Sequence, residues 1–160
     1  MSVAFVKEES AEAASETILG ERPISPYPNL VTAAGFRHLE AKLQEANAAC
    51  EAAAKIEDVN ERRRQSALPS RDARYFAQRV NSAQVIEAPI ESDVVAFGTT
   101  VTFQRADGRM QKYRIVGEDE ADPTSGTISH ASPIARQMMG KAVGDVVGAG
   151  QQEIEILAIE

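Results

Sequence analysis

Apolar and small side chains recur at spacings of 3, 4, 3, 4 and 3 along Phe36, Leu39, Leu43, Ala46, Cys50 and Ala53, and this pattern restricts the fold most tightly. Such spacing is a heptad seam, narrower than an ordinary amphipathic face, and it calls for a partner helix. Thr32 is the candidate N-cap. A reverse seam follows in Ala73, Phe76 and Val80, with the returning helix ending near Ser82. Pairing Phe36 with Ala83 and Leu43 with Phe76 gives an antiparallel hairpin, with its turn expected near residues 58–61. Pro69 would cost roughly 3 kcal/mol inside a helix, so residues 62–69 are expected to be kinked or irregular, with regular helix resuming near Ser70. A longer first helix turning at Leu68-Pro69 is the competing layout, and the sequence leaves both open.

Around this hairpin the chain changes character. Pro23, Pro26 and Pro28 favour extended backbone, and the acidic, Ala- and Ser-rich residues before them are expected to be disordered through residue 22. Ala4, Phe5 and Val6 form an apolar triplet with no evident place to dock. After the hairpin come short alternating segments: Val94–Phe97, Thr99–Gln104, Met110–Val116, Thr127-Ile128, Val143–Val147 and Glu153–Ile159. Ala106-Asp107-Gly108 is a hairpin-turn signal between two of them. Ser132-Pro133 opens a short helix that Gly140 ends. The expected class is α+β: a tail over 1–28, a coiled-coil hairpin over 29–83, and an antiparallel β domain with one short helix over 84–160.

Charge narrows the function classes. The chain carries 17 basic and 24 acidic side chains, net −7, with most of the excess in the C-terminal half. Such a surface disfavours sequence-specific nucleic-acid binding there and suits a basic protein partner. Between Tyr113 and Lys141, Glu118, Asp119, Glu120 and Asp122 crowd four carboxylates into five positions, to be read as a solvated turn or as a docking patch. The single Cys50 excludes an internal disulfide and, on the seam, reads as an inert buried thiol. His38 and His130 lack neighbouring ligands in sequence and are expected to be ordinary surface or turn residues. With no apolar run near 18 residues and no signal pattern, the expectation is a cytoplasmic monomer without membrane contact.

Taken in order, NSAQVIEAP, FGTTVTFQ, YRIVGEDEAD, GTIS, SPIARQMMGK and GDVV resemble the C-terminal domain of the bacterial Gre transcript-cleavage factors, and LVTAAGFRHLEAKL is similar to the start of that family's coiled-coil hairpin. The resemblance implies an FKBP-like fold for the C-terminal domain, RNA polymerase as partner, and a hairpin inserted into the polymerase secondary channel. It places the polymerase-binding residues at Asp119, Glu120, Asp122, Ser132, Pro133, Ile134 and Ala135. Family members carry an Asp and a Glu three apart at the hairpin tip. Those carboxylates help hold a catalytic Mg²⁺ that belongs to the polymerase active site, so no cofactor of the chain's own is implied.

Asp58 and Glu61 have that Asp-to-Glu spacing, and the seam pairing independently puts them near the turn. The surroundings depart from the family. Glu57 replaces a Gly, and Arg62, Arg63 and Arg64 replace the acidic and aromatic continuation. Each arm is about seven residues shorter than the resemblance implies, which leaves the tip roughly 10 Å short. The leading expectation is therefore a polymerase-binding factor that modulates elongation or initiation without strong cleavage. Its Arg62–Arg64 tip would contact acidic groups or phosphates. The alternative is an active cleavage factor using Asp58 and Glu61. A prolyl isomerase, suggested by the FKBP-like shape, has only Phe97, Phe103 and Tyr113 to line an aromatic pocket.

Overall fold

A computed structural model describes Leu19–Glu160. The expectations about the apolar triplet and about disorder before Leu19 lie outside the described residues. The chain forms two compact units. Among the described residues, one joins 19–24 with Leu39–Asn81, and the other joins Ser25–His38 with Ser82–Glu160. Residues 25–38, assigned by sequence to the tail and hairpin, therefore pack with the C-terminal unit. No helix among the described residues is long and apolar enough to cross a membrane.

Two helices, α1 (Ala33–Ala54) and α2 (Val59–Ser82), form the hairpin. Leu39, Ala46 and Ala53 are buried, and Phe36, Leu43 and Cys50 are half-buried, so the heptad seam lies where its spacing puts it. Cys50 Sγ lies 3.7 Å from Ser70 Oγ. That is one residue from the register implied by pairing Leu43 with Phe76. The turn occupies residues 55–58, slightly earlier than expected, because Asp58 already caps α2.

Pro69 lies inside α2, which runs unbroken past it. This corrects the expected irregularity over 62–69 and excludes a turn at Leu68-Pro69. The ring removes one N–H from the helical ladder. Ala46 and Ala49 of α1, with Leu68, Pro69 and Phe76 of α2, line a groove of about 430 Å³. Glu21 and Arg22 are also better held than the expected disorder. The Arg22 guanidinium sits 3.8 Å above the Tyr75 ring and 3.2 Å from Asp72, while Glu21 pairs with Arg74 at 2.6 Å.

In the second unit, β1 (Leu30–Val31) and β2 (Gln84–Val85) pair in parallel. Gln84 N donates to Asn29 O at 2.8 Å and Ile86 N to Val31 O at 2.9 Å. The segments entering and leaving the hairpin are thereby tied together. The main sheet has the order β5-β4-β3-β7-β6, with β3 Thr100–Arg105, β4 Met110–Val116, β5 Thr127–Ser129, β6 Val146–Val147 and β7 Ile154–Ile159. Strands β3 and β4 turn at Ala106-Asp107-Gly108, where Gly108 adopts φ +87°.

The sheet is mixed rather than wholly antiparallel, since β5 runs parallel to β4. Residues 117–126 form a crossover between them, too long for a tight hairpin. Val94–Phe97 forms an isolated bridge, Val94 to Ala142, rather than a strand, with Val95 hydrogen-bonded to Gly140 and Lys141 and Val95 and Phe97 in the core. Helix α3 (Pro133–Met138) presses Ala135 and Met138 into a core with Val101, Phe103, Ile115, Ile154 and Ile156. His130 lies in a turn, one of the two places expected for it, but is buried beside Phe97, with ring centroids 5.7 Å apart. The whole is an α+β fold.

Candidate functional site

At the hairpin turn, the Glu61 amide donates to Asp58 Oδ1 at 2.7 Å, and the Arg62 amide to Asp58 O at 2.9 Å. Asp58 is thus the N-cap of α2, satisfying amides that have no partner within the helix. Glu61 accepts from Gln65 at 2.8 Å on Oε1 and from Arg64 at 2.7 Å on Oε2. The hydrogen bond from Gln65, then that from Arg64, holds the Glu61 carboxyl below its ordinary pKa.

The three arginines divide into different roles. Arg62 donates to Ile56 O at 2.7 Å and Glu57 O at 3.0 Å, fastening the turn. Arg64 is paired with Glu61, and Arg63 is exposed and makes no ion pair with a described residue. Asp58 therefore ends the turn and Glu61 lies in the first turn of α2, with Asp58 Oδ1 and both Glu61 oxygens accepting hydrogen bonds. Among the described residues, no three His, Cys, Asp or Glu side chains group to hold a metal ion.

The acidic turn after β4 is less uniform than its sequence suggests. Asp122 caps the single-turn helix Pro123–Ser125, accepting from Thr124 N at 3.1 Å, Thr124 Oγ1 at 2.6 Å and Ser125 Oγ at 2.7 Å. Hydrogen bonds from the Thr124 and Ser125 side chains lower its pKa. The Glu120 carboxylate accepts from Thr32 N at 3.0 Å, Thr32 Oγ1 at 2.7 Å and Gly117 N at 2.9 Å. Glu118 and Asp119 are half-buried.

Ser132 is the N-cap of α3, with Ala135 N donating to its Oγ at 3.4 Å. Pro133 is exposed and Ile134 half-buried, while Ala135 has no exposed surface and belongs to the core. A direct contact through Ala135 is thereby corrected, and it supports that face from beneath. Phe97 and Phe103 are core residues too, so they line no open pocket. Sequence reasoning missed the link from Glu120 to Thr32 and Gly35. A glycine in the first turn of an otherwise good helix, just before its seam, was the available signal.

A family model for the C-terminal part of transcription elongation factors GreA/GreB matches residues 90–160. The transcription elongation factor GreA of Bacillus cereus (strain AH187) is 40% identical over 85 residues, which covers 50% of this chain and 54% of that protein. The transcription elongation factor GreB of Neisseria meningitidis serogroup A is 40% identical over 96 residues, 56% of this chain and 59% of that one. The chain thus spans little more than half the length of these relatives. GreA factor homolog 1 (Gfh1) of Thermus thermophilus covers 84% of this chain and 99% of its own, at 22% identity and a TM-score of 0.38, too loose a likeness to carry an argument.

Proposed function

We propose that the chain is a transcription elongation factor of the GreA/GreB type, and that it binds RNA polymerase at the secondary channel and modulates transcription with little stimulation of RNA cleavage; the family match over residues 90–160 and the 40% identity to GreA and GreB relatives support this reading. The commitment of the tip carboxylates carries the second half of this reading. Asp58 Oδ1 already accepts the first-turn amide of α2, and the Glu61 oxygens accept from Arg64 and Gln65, so a Mg²⁺ held with the polymerase would compete with these donors. Mg²⁺ keeps near-octahedral oxygen coordination and tolerates little competition from guanidinium groups. The shorter arms expected from the resemblance act in the same direction.

Arg63 is the tip side chain placed to meet an anion, whether an acidic group or a phosphate. Docking is assigned to the exposed or half-buried part of the C-terminal face: Asp119, Asp122, Pro133 and Ile134. In this reading the chain is a cytoplasmic monomer that reads no nucleic-acid sequence itself. Gel filtration with core polymerase tests it. The protein is expected to co-migrate, with Asp119→Lys and Asp122→Lys each weakening the complex, and failure of the unaltered chain to co-migrate removes the proposal.

A second reading keeps a specific observation in its favour. Asp58 and Glu61 stand adjacent, at the turn and just after it, as a cleavage factor needs. It predicts faster RNA shortening in backtracked complexes, abolished by Asp58→Ala.

A further inference from the structure

Helix α1 has no acidic residue in its first turn, although a negative charge there would stabilise its amide end. The charge arrives from 88 residues further on. Glu120 Oε1 accepts from Thr32 N and Gly117 N, and its Oε2 accepts from the Thr32 hydroxyl. That hydroxyl accepts in turn from Gly35 N at 3.0 Å. The chain Gly35 N–H, Thr32 O–H, Glu120 carboxylate is continuous, and Thr32 is buried.

Two glycines make the approach possible. A Cβ at Gly35 would overlap the Glu120 carboxylate, and one at Gly117 would lie 2.6 Å from Leu30 O. The carboxylate cannot swing aside without giving up its three donors. Every one of these groups lies in the same compact unit.

We propose that Glu120 is a positioning residue that anchors the first turn of α1, and is not one of the acids that meet a partner. The functional half of this proposal rests on the polymerase reading above, and the structural half does not. Direction is set at a helix's root. Over the 22 residues of α1, at 1.5 Å per residue, a tilt of about 10° at the first turn moves the far end by about 6 Å. An anchor at Thr32 and Gly35 therefore acts at the root from which α1 leaves its unit.

Hydrogen exchange on the full chain tests the anchor. Glu120→Ala should speed exchange of the Thr32 and Gly117 amides by about tenfold or more, with Glu120→Gln in between because it keeps one acceptor oxygen. Gly35→Ala should do the same, although helix propensity alone favours Ala and predicts slower exchange. The double variant should be no worse than the more severe single, since both break one contact. Unchanged exchange in Glu120→Ala, slower exchange in Gly35→Ala, or additive effects would each overturn the anchor. If Glu120→Ala does not fold, Glu120→Gln and Gly35→Ala decide the matter.

Titration against transcribing polymerase tests the positioning. Glu120→Gln should lower the effect at saturation and leave the half-effect concentration within about twofold. A shift in half-effect concentration alone would make Glu120 a docking residue and overturn the assignment. If even the unaltered chain has no effect on polymerase, the proposed function and the positioning role fail together, and exchange alone decides the anchor.

Discussion

The two long helices begin in the same chemical way with different support. Helix α2 is capped by Asp58, three residues before the amide it accepts from. Helix α1 is capped just as locally by Thr32, but that hydroxyl is in turn held by Glu120, 88 residues further along the chain. A cap with no further support makes a helix start wherever the chain goes. One braced by a distant carboxylate ties the start to the rest of its unit. The hairpin turn is therefore closed by its own residues, while the hairpin root is braced by the sheet domain.

If that contrast is right, loss of Glu120 is the costlier change. Glu120→Ala removes three hydrogen bonds to a carboxylate, and unfolding by urea should show a loss of about 2–3 kcal/mol. Asp58→Ala should cost about 1 kcal/mol, the usual value of a helix cap. Equal losses, or the reverse order, would break the comparison. Arg62→Ala comes next: without its bonds to Ile56 O and Glu57 O, limited proteolysis should cut within residues 55–58 at least about twofold faster.

The smallest effect is a pH dependence. Asp122 and Glu61 have lowered pKa values, so their support of the fold is complete above the ordinary carboxylate range and is lost as pH falls through the lowered values. Carboxyl NMR titration should place both midpoints below those of unstructured peptides. Midpoints at or above the peptide values would mean that the Thr124, Ser125, Gln65 and Arg64 bonds are not made in solution.

The same local-versus-distant distinction governs how much of the molecule the sequence exposes. The heptad seam, the Ala106-Asp107-Gly108 turn and the Ser132-Pro133 helix start are all decided by residues within one or two turns of each other, and each is legible. Pro69 misled because helix propensity is local, while α2 continues through it as one helix of 24 residues whose packing outweighs a single proline. The parallel pairing of β5 with β4 and the burial of His130 against Phe97 depend on the path of a crossover that no short pattern encodes. Within the candidate site, Asp58 and Glu61 were singled out by the Asp-to-Glu spacing that the family resemblance implies, and the seam pairing put them near the turn. The acidic turn was found as a cluster, but its division into an inward Glu120 and a turn-capping Asp122 required knowing what faces each carboxylate.

The central claim is that the tip carboxylates are structural, so that the chain engages polymerase without strongly provoking cleavage. RNA shortening in backtracked polymerase complexes, followed with saturating protein, tests it most directly. The account predicts a rate within about twofold of that without the protein. Shortening accelerated by a factor of ten or more and abolished by Asp58→Ala would contradict it.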